Sequence, residues 1–452
     1  MGETRAISQF VEKTAFPQLP PEVIQKAKGV ILDTLGCAVA GHSLAREEFQ
    51  WIFGLVKDLG GAPRSTVWIE GLKTSAPQAA LVNGTLVHTI DFDDTHLGSI
   101  AHFGASVVPS CLALAEDLQL DGKAILTAMV LAYEIGGRVG KAVMPSHYQF
   151  WHPTGTLGAI AVGVAAAKLL NLSAEKIDQA IGLAADAASG MRYGIDFGDF
   201  SKSLHPGLAG WHGIMAASLI HRGATGPRGL LEYPTGFCRA YGAKPAVEAL
   251  TEGLGKSYEI LTDSLKAFPT ILCSHTPIQG TLQIVTEHRL RMEEIESIHF
   301  RVSPTAPGQG LNDSPQTPLA ARLSIPYCVA RAVADGNVSM DQFGEEKLKD
   351  HKIREFMKRI TVESDLAFKD QYPGTLAAWV EVKTKDGSIF KGESIYPKGH
   401  PRNPMTEEEI KEKFRRLCAA TLRKGRIEAM IEKVFGLENV NNIGDLIFLL
   451  VR

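Results

Sequence analysis

The chain has 452 residues, 45% of them hydrophobic and 21% charged, with a formal net charge of −3. That length exceeds one ordinary hydrophobic core and predicts two domains, and the balance excludes a disordered, collagenous or fibrous chain. No basic stretch is long enough to follow a phosphate backbone, which excludes nucleic acid as a partner.

The cysteines (Cys37, Cys111, Cys238, Cys273, Cys328, Cys418) are scattered without a CxxC pair. That argues against a zinc knuckle or disulfide framework and for a reducing compartment. The N-terminal MGETRAISQFVEKTAF is charged and amphipathic, with no apolar secretory core behind it. The longest apolar run, residues 157–167, stops at Lys168 and reads as a buried helix, too short to span a membrane. The expectation is a soluble, cytoplasmic protein.

Taken in chain order, residues 1–266 read as helix almost throughout. PPEVIQKAKGVILDTLGCAVAG opens on proline and ends at Gly41. SAPQAALVNGTLVHTIDF repeats that opening, with Ser75 as cap and Pro77 in the first turn. The helical segments that follow are rich in alanine and glycine, which lets helix backbones approach closely. From residue 267 to 395 the texture changes. IESIHFRV and RITVES alternate as strands, and AAWVEVKTKDGSIFKGES reads as a hairpin around Asp386-Gly387. TEEEIKEKFRRLCAATL returns to helix, with Thr406 and Glu409 spaced as a capping box. The expected fold is mostly α: a large all-helical domain (1–266 plus 396–452) with an inserted smaller α+β lid domain (267–395), and a site in the cleft between them.

Cofactor motifs are missing. There is no GxGxxG, GxxxxGK[ST] or HExxH, and GGRVGKAV has the wrong spacing for a phosphate loop. HTIDFDDTH, residues 88–96, instead packs three carboxylates and two histidines into nine positions. On a continuing helix His88, Asp91 and Thr95 share one face. Four readings stay open on this stretch alone: a divalent metal site, a carboxylic proton donor, a polar wall against a polar substrate, and an acidic helix end at the surface.

Three further stretches bear on it. In SIAHFGASVVPS and FWHPTGTLGAIAVG, His102 and His152 each precede the small-residue start of a helix, where backbone N–H groups and the helix dipole favour a carboxylate. In DFGDFSKSLHPGLAG, Lys202 stands in a loop before another helix, placed to hold a substrate carboxylate or act as a base. Singly, a histidine at a helix start is more often a structural hydrogen-bonder, and a loop lysine is usually solvated. Together they suit a small polycarboxylate substrate and proton transfer without a cofactor.

ILDTLGCAVAG, NGTLVHTIDFDDTH, HPTGTLGAIAVGVAAAKLL, FSKSLHPGLAG, ARLSIPYCVA and PKGHPRNPMTEEEI occur in the order and spacing of the MmgE/PrpD family, which the chain resembles over nearly its whole length. That family includes 2-methylcitrate dehydratase, cis-aconitate decarboxylase and iminodisuccinate epimerase. The resemblance implies a helical domain with a smaller lid, a homodimer, and no metal or organic cofactor. It places active-site positions on Asp91, Thr95, His102, His152 and Lys202, with His275 in KAFPTILCSHTP contributing from the small domain. Tyr327 in SIPYCVA is a further substrate-binding candidate, which either reaches the cleft from the small domain or packs.

The chain also departs from the family. HLGSIAHFGAS is one residue longer than the decarboxylase spacing, and Phe103 replaces a usual proline. The decarboxylase branch has a histidine four positions before His275, where this chain has Ile271, and the longer insertion of the dehydratase branch is missing. The resulting expectation is a cofactor-independent lyase of the 2-methylcitrate dehydratase type, acting by α-proton abstraction on a di- or tricarboxylic acid. Epimerisation of an iminodisuccinate-like substrate is the alternative, and Ile271 disfavours decarboxylation. In this scheme Lys202 and the two helix starts hold carboxylates. His152 or Lys202 takes the proton. Asp91, oriented by Thr95, positions a histidine or protonates the leaving group.

Overall fold

Small residues at helix spacing set the architecture. The computed structural model describes residues 2–304, 310–371 and 374–452, and most of them are α-helical. Two compact units form. One holds Met1–Arg192, Phe200–Asp263 and Thr406–Arg452; the other holds Tyr193–Asp199 and Ser264–Met405. The second unit thus takes in residues 193–199 and runs on past residue 395, further than the change in sequence texture suggests.

The large unit carries Glu3–Lys13 (α1), Pro21–Leu44 (α2), Arg46–Leu59 (α3), Ala76–His88 (α4), Phe103–Leu118 (α5), Gly122–Val143 (α6), Pro153–Leu169 (α7) and Ala174–Asp186 (α8). After Tyr193–Phe197 (α9), which belongs to the second unit, it resumes with Phe200–His221 (α10). It is not purely helical as expected. Ser65–Thr66 (β1) and Lys73–Thr74 (β2) pair antiparallel, and Thr95–His96 (β3) is a third short strand.

α7 is the centre. Residues 153–167 are all buried, and α5, α6, α8 and α10 pack around them. A helix apolar on every face belongs in a core, and glycines let its neighbours close in. A Cβ on Gly84 of α4 would lie 2.8 Å from the Ala105 carbonyl oxygen of α5 and 3.1 Å from Gly207 Cα of α10. These close crossings bring the end of α4 and the starts of α5, α7 and α10 together.

Glu407–Cys418 packs on α2, opened by the expected capping box: Glu409 N–H donates to Thr406 Oγ1 at 3.2 Å and Thr406 N–H to Glu409 Oε2 at 2.7 Å. From it Lys413 Nζ reaches the Phe92 carbonyl at 2.8 Å and Asp33 Oδ1 at 2.6 Å. Among the described residues no helix is long and apolar enough to cross a membrane.

The chain leaves the large unit through Asp263–Ser264 (β4). The second unit is built on Ile295–Val302 (β5), Ile360–Ser364 (β6), Ala378–Thr384 (β7) and Ile389–Ser394 (β8), in the order β6-β5-β7-β8. β5 pairs parallel with β6 and antiparallel with β7. β7 and β8 form the expected hairpin, with Gly387 at φ 89°, where glycine is favoured. Every second residue of β7 is buried, the alternation of a strand with one covered face. His275–Glu287 packs against β7 and β8.

Candidate functional site

The helix expected to continue through HTIDFDDTH stops at His88. Asp91 then turns the chain at φ 52°, a left-handed conformation that aspartate tolerates better than most residues. His88, Asp91 and Thr95 are therefore gathered by a turn and do not share a helix face. All of residues 88–96 are buried, which overturns the reading of an exposed acidic helix end.

Lys202, expected in a loop, is the third residue of α10 and is buried. Its Nζ donates to Asp91 Oδ1 at 3.0 Å and lies 2.9 Å from His88 Nε2. An ammonium has only protons to offer, so His88 Nε2 accepts and its Nδ1–H donates to Asp93 Oδ2 at 2.8 Å. Burial is the main cause holding the His88 pKa below its usual value, against the pull of Asp93. The chain Lys202–His88–Asp93 thus runs through a neutral imidazole.

His102 caps α5. Its Nδ1 lies 2.6 Å from the Asp94 carbonyl oxygen, which can only accept, so the proton sits on Nδ1. Thr95 Oγ1 lies 3.3 Å from the same nitrogen. The His102 N–H donates to Thr154 Oγ1 at 3.1 Å, tying the start of α5 to that of α7.

Asp94 itself takes the Gly104 N–H at 3.0 Å and the Tyr133 hydroxyl at 2.6 Å. The start of α5 thus already has the Gly104 N–H taken by a carboxylate of its own chain. Burial, then the nearby Asp93, raises the Asp94 pKa to about 6.

His152 caps α7 and is 1% exposed. Its Nδ1 lies 2.9 Å from His205 Nδ1, while its buried Nε2 has no hydrogen-bond partner among the described residues. Burial first, then His205, His88, Lys202 and His102, hold its pKa well below the usual imidazole range. The His88 and His152 rings stack with centroids 5.5 Å apart, and the His88 and His102 centroids are 4.7 Å apart.

The structure thus brings together Asp91, Thr95, His102, His152 and Lys202. His275 and Tyr327 lie in the second unit. His275 opens His275–Glu287 (buried, its ring 5.3 Å from Phe268), and the buried Tyr327 donates its hydroxyl to the Gln342 carbonyl at 2.7 Å. Sequence reasoning assigns no site role to three residues of the cluster: His88, Asp93 and His205. The one sequence signal for His205 was its place three residues after Lys202, one turn along the same helix.

Two groups could hold a cation: His88, His102 and His152, and His88, Asp91 and Asp93, each with donor atoms within 4.8 Å of one another. Both need a nitrogen of His88, and its two nitrogens face Lys202 and Asp93. The Lys202 ammonium already supplies the positive charge beside Asp91, so this donor set fits a metal poorly.

The MmgE/PrpD N-terminal domain model matches residues 5–250 and the MmgE/PrpD C-terminal domain model residues 268–437. The chain is 30% identical to cis-aconitate decarboxylase from Homo sapiens, over 99% of this chain and 94% of that protein. It is 25% identical to cis-aconitate decarboxylase from Aspergillus terreus, over 99% and 96% respectively. It is also 25% identical to the mitochondrial 2-methylcitrate dehydratase from Yarrowia lipolytica, over 90% and 82%.

Proposed function

The chain belongs to the MmgE/PrpD family, and from that premise we propose that it is a lyase acting on a small di- or tricarboxylic acid. It removes a proton next to a carboxylate without a metal or organic cofactor. The observation that carries this reading is His152 Nε2: buried, unpartnered among the described residues, and next to the Lys202 ammonium. A neutral imidazole in that setting is a base awaiting a proton. A polyanionic substrate entering beside His88, His102 and Lys202 raises the basicity of His152, because opposite charge favours the protonated ring.

Lys202, held in place by Asp91, binds a substrate carboxylate. His152 Nε2 takes the α-proton. The C–H electron pair forms a carbon–carbon double bond as the neighbouring C–O bond breaks. The departing hydroxide takes a proton from His102, whose Nδ1–H is fixed to the Asp94 carbonyl and which in its protonated form presents Nε2–H. The reaction is thus dehydration of a 2-hydroxy tricarboxylate of the 2-methylcitrate kind. Ile271, buried and apolar, stands where the decarboxylase branch has a histidine, and it cannot protonate a carbanion.

Decarboxylation of cis-aconitate is the second reading, favoured by the relatives of that name that span 99% of this chain. None of the relatives above is an epimerase, and that alternative gains no support. Incubating purified protein with citrate, 2-methylcitrate and cis-aconitate and following products by ¹H NMR separates the readings. An unsaturated acid formed from a hydroxy acid is expected. Loss of CO₂ from cis-aconitate establishes the second reading, and no conversion of any of them contradicts both.

A further inference from the structure

Lys202 and His205 stand one turn apart on α10 and serve different partners. Lys202 reaches His88 and Asp91, whereas His205 Nδ1 lies 2.9 Å from His152 Nδ1. Two ring nitrogens at that distance need one proton between them. When His152 holds it, His152 Nε2 carries the lone pair, the state a base requires. His205 therefore selects the tautomer of His152.

The setting lets it do more. His152 is buried, whereas His205 is only half-buried, so His205 stands between the buried ring and water. Two glycines leave room for its ring. A Cβ on Gly155 would lie 3.3 Å from His205 Cβ, and one on Gly190 3.3 Å from His205 Cγ and Cδ2. Gly190 (φ 125°) also accepts the His152 N–H at 2.9 Å, so the same short segment holds both rings.

We propose that His205 is the proton relay of the site, moving protons between His152 and solvent. The proposal rests on the lyase reading above. When the substrate C–H bond breaks, its electron pair stays with the carbon skeleton and the proton goes to His152 Nε2. The proton on His152 Nδ1 then passes to His205 Nδ1. The His205 imidazolium releases its Nε2 proton to water. After product release His152 gives its Nε2 proton, through the water that replaces the product, to His102, which lost one to the leaving hydroxide. His205 then takes a proton from solvent on Nε2 and returns its Nδ1 proton to His152 Nδ1. No co-reactant is needed.

Two variants and one spectrum test this. In His205→Gln the amide oxygen can still accept from His152 Nδ1–H but cannot carry a proton onward. The expected result is a fall in kcat of about tenfold to a hundredfold with KM within about twofold. In His205→Ala, added imidazole restores several-fold of the lost rate. A His205→Gln enzyme with wild-type kcat, or no rescue of His205→Ala, overturns the relay. Long-range ¹H–¹⁵N spectra of histidine-labelled wild-type protein read the pair without any substrate. They are expected to show His152 protonated on Nδ1 and bare on Nε2, and the opposite tautomer overturns the proposal. If that tautomer is found and no polycarboxylate turns over, the lyase reading fails while the His152–His205 pair stands.

Discussion

Lys202 donates to Asp91 across 3.0 Å, and both side chains are buried. Taking two charges out of water is costly, and removing one partner strands the other, an effect of about 3–5 kcal/mol. Lys202→Met is therefore expected to abolish turnover and to lower unfolding stability by about 3 kcal/mol. Adding Asp91→Asn, which also tolerates the left-handed turn, is expected to regain most of the stability and none of the activity. Denaturant melts and turnover on wild type, Lys202→Met, Asp91→Asn and the double variant check this. A double variant as unstable as Lys202→Met would contradict the pairing.

The second link is His88 to Asp93 at 2.8 Å. Asp93 fixes the ring that receives the Lys202 proton. Asp93→Ala frees His88 to turn and leaves its Nδ1–H unsatisfied. A loss of about a hundredfold in kcat is expected, with a smaller change in KM. Steady-state kinetics decide, and an unchanged kcat contradicts a role for the chain Lys202–His88–Asp93.

Much of this was legible in the sequence, and what was not has a physical cause. Thr406 and Glu409, Asp386 and Gly387, and the alternation of β5 and β7 all carry local signals, and each forms the element its pattern predicts. His102, His152 and Lys202 stand out in the sequence because each lies at or beside the small-residue start of a helix, and the family resemblance adds Asp91 and Thr95 from the dense HTIDFDDTH stretch. The helix expected through residue 95 failed because the left-handed turn at Asp91 is fixed by distant partners. Lys202 is 111 residues away in sequence, and Lys413, which holds the Phe92 carbonyl, is 321 residues away. His88 has no assigned role in the sequence for the same reason: its partner Lys202 lies 114 residues away.

Asp94 and Asp263 give a pH signature. Both carboxyls are buried, and burial first, then the charge of Asp94, favours a proton on Asp263, so the pair holds one proton between them. Asp33, Asp93, Lys26, Tyr133 and the Gly104 N–H face the pair. Burial raises the Asp94 pKa to about 6 and that of Asp263 well above its usual value. A raised folded-state pKa means stability present at low pH and lost as pH rises through the folded value. The buried histidines, with lowered values, act in the opposite direction as pH falls. Comparison with Asp263→Asn isolates the pair, because the amide has no proton to titrate. The variant is expected to gain on wild type as pH rises from about 4 through about 6 and beyond, by on the order of a few kcal/mol. Thermal melts across pH check it, and a pH-independent difference contradicts the shared proton.

With Lys202 as the cation beside Asp91, activity is expected to survive a strong chelator undiminished. Loss of activity on chelation, restored by one added metal ion, would contradict the cofactor-free reading.

In the proposed reaction His152 takes a proton from a carbon next to a carboxylate. The most direct measurement is wash-in of solvent deuterium at that carbon, read by ¹H NMR with 2-methylcitrate or citrate in D₂O. Wild-type protein is expected to exchange or eliminate the α-proton, and His152→Gln, folded by the same melts, to do neither at a detectable rate. Exchange by His152→Gln at the wild-type rate contradicts the assignment of the base.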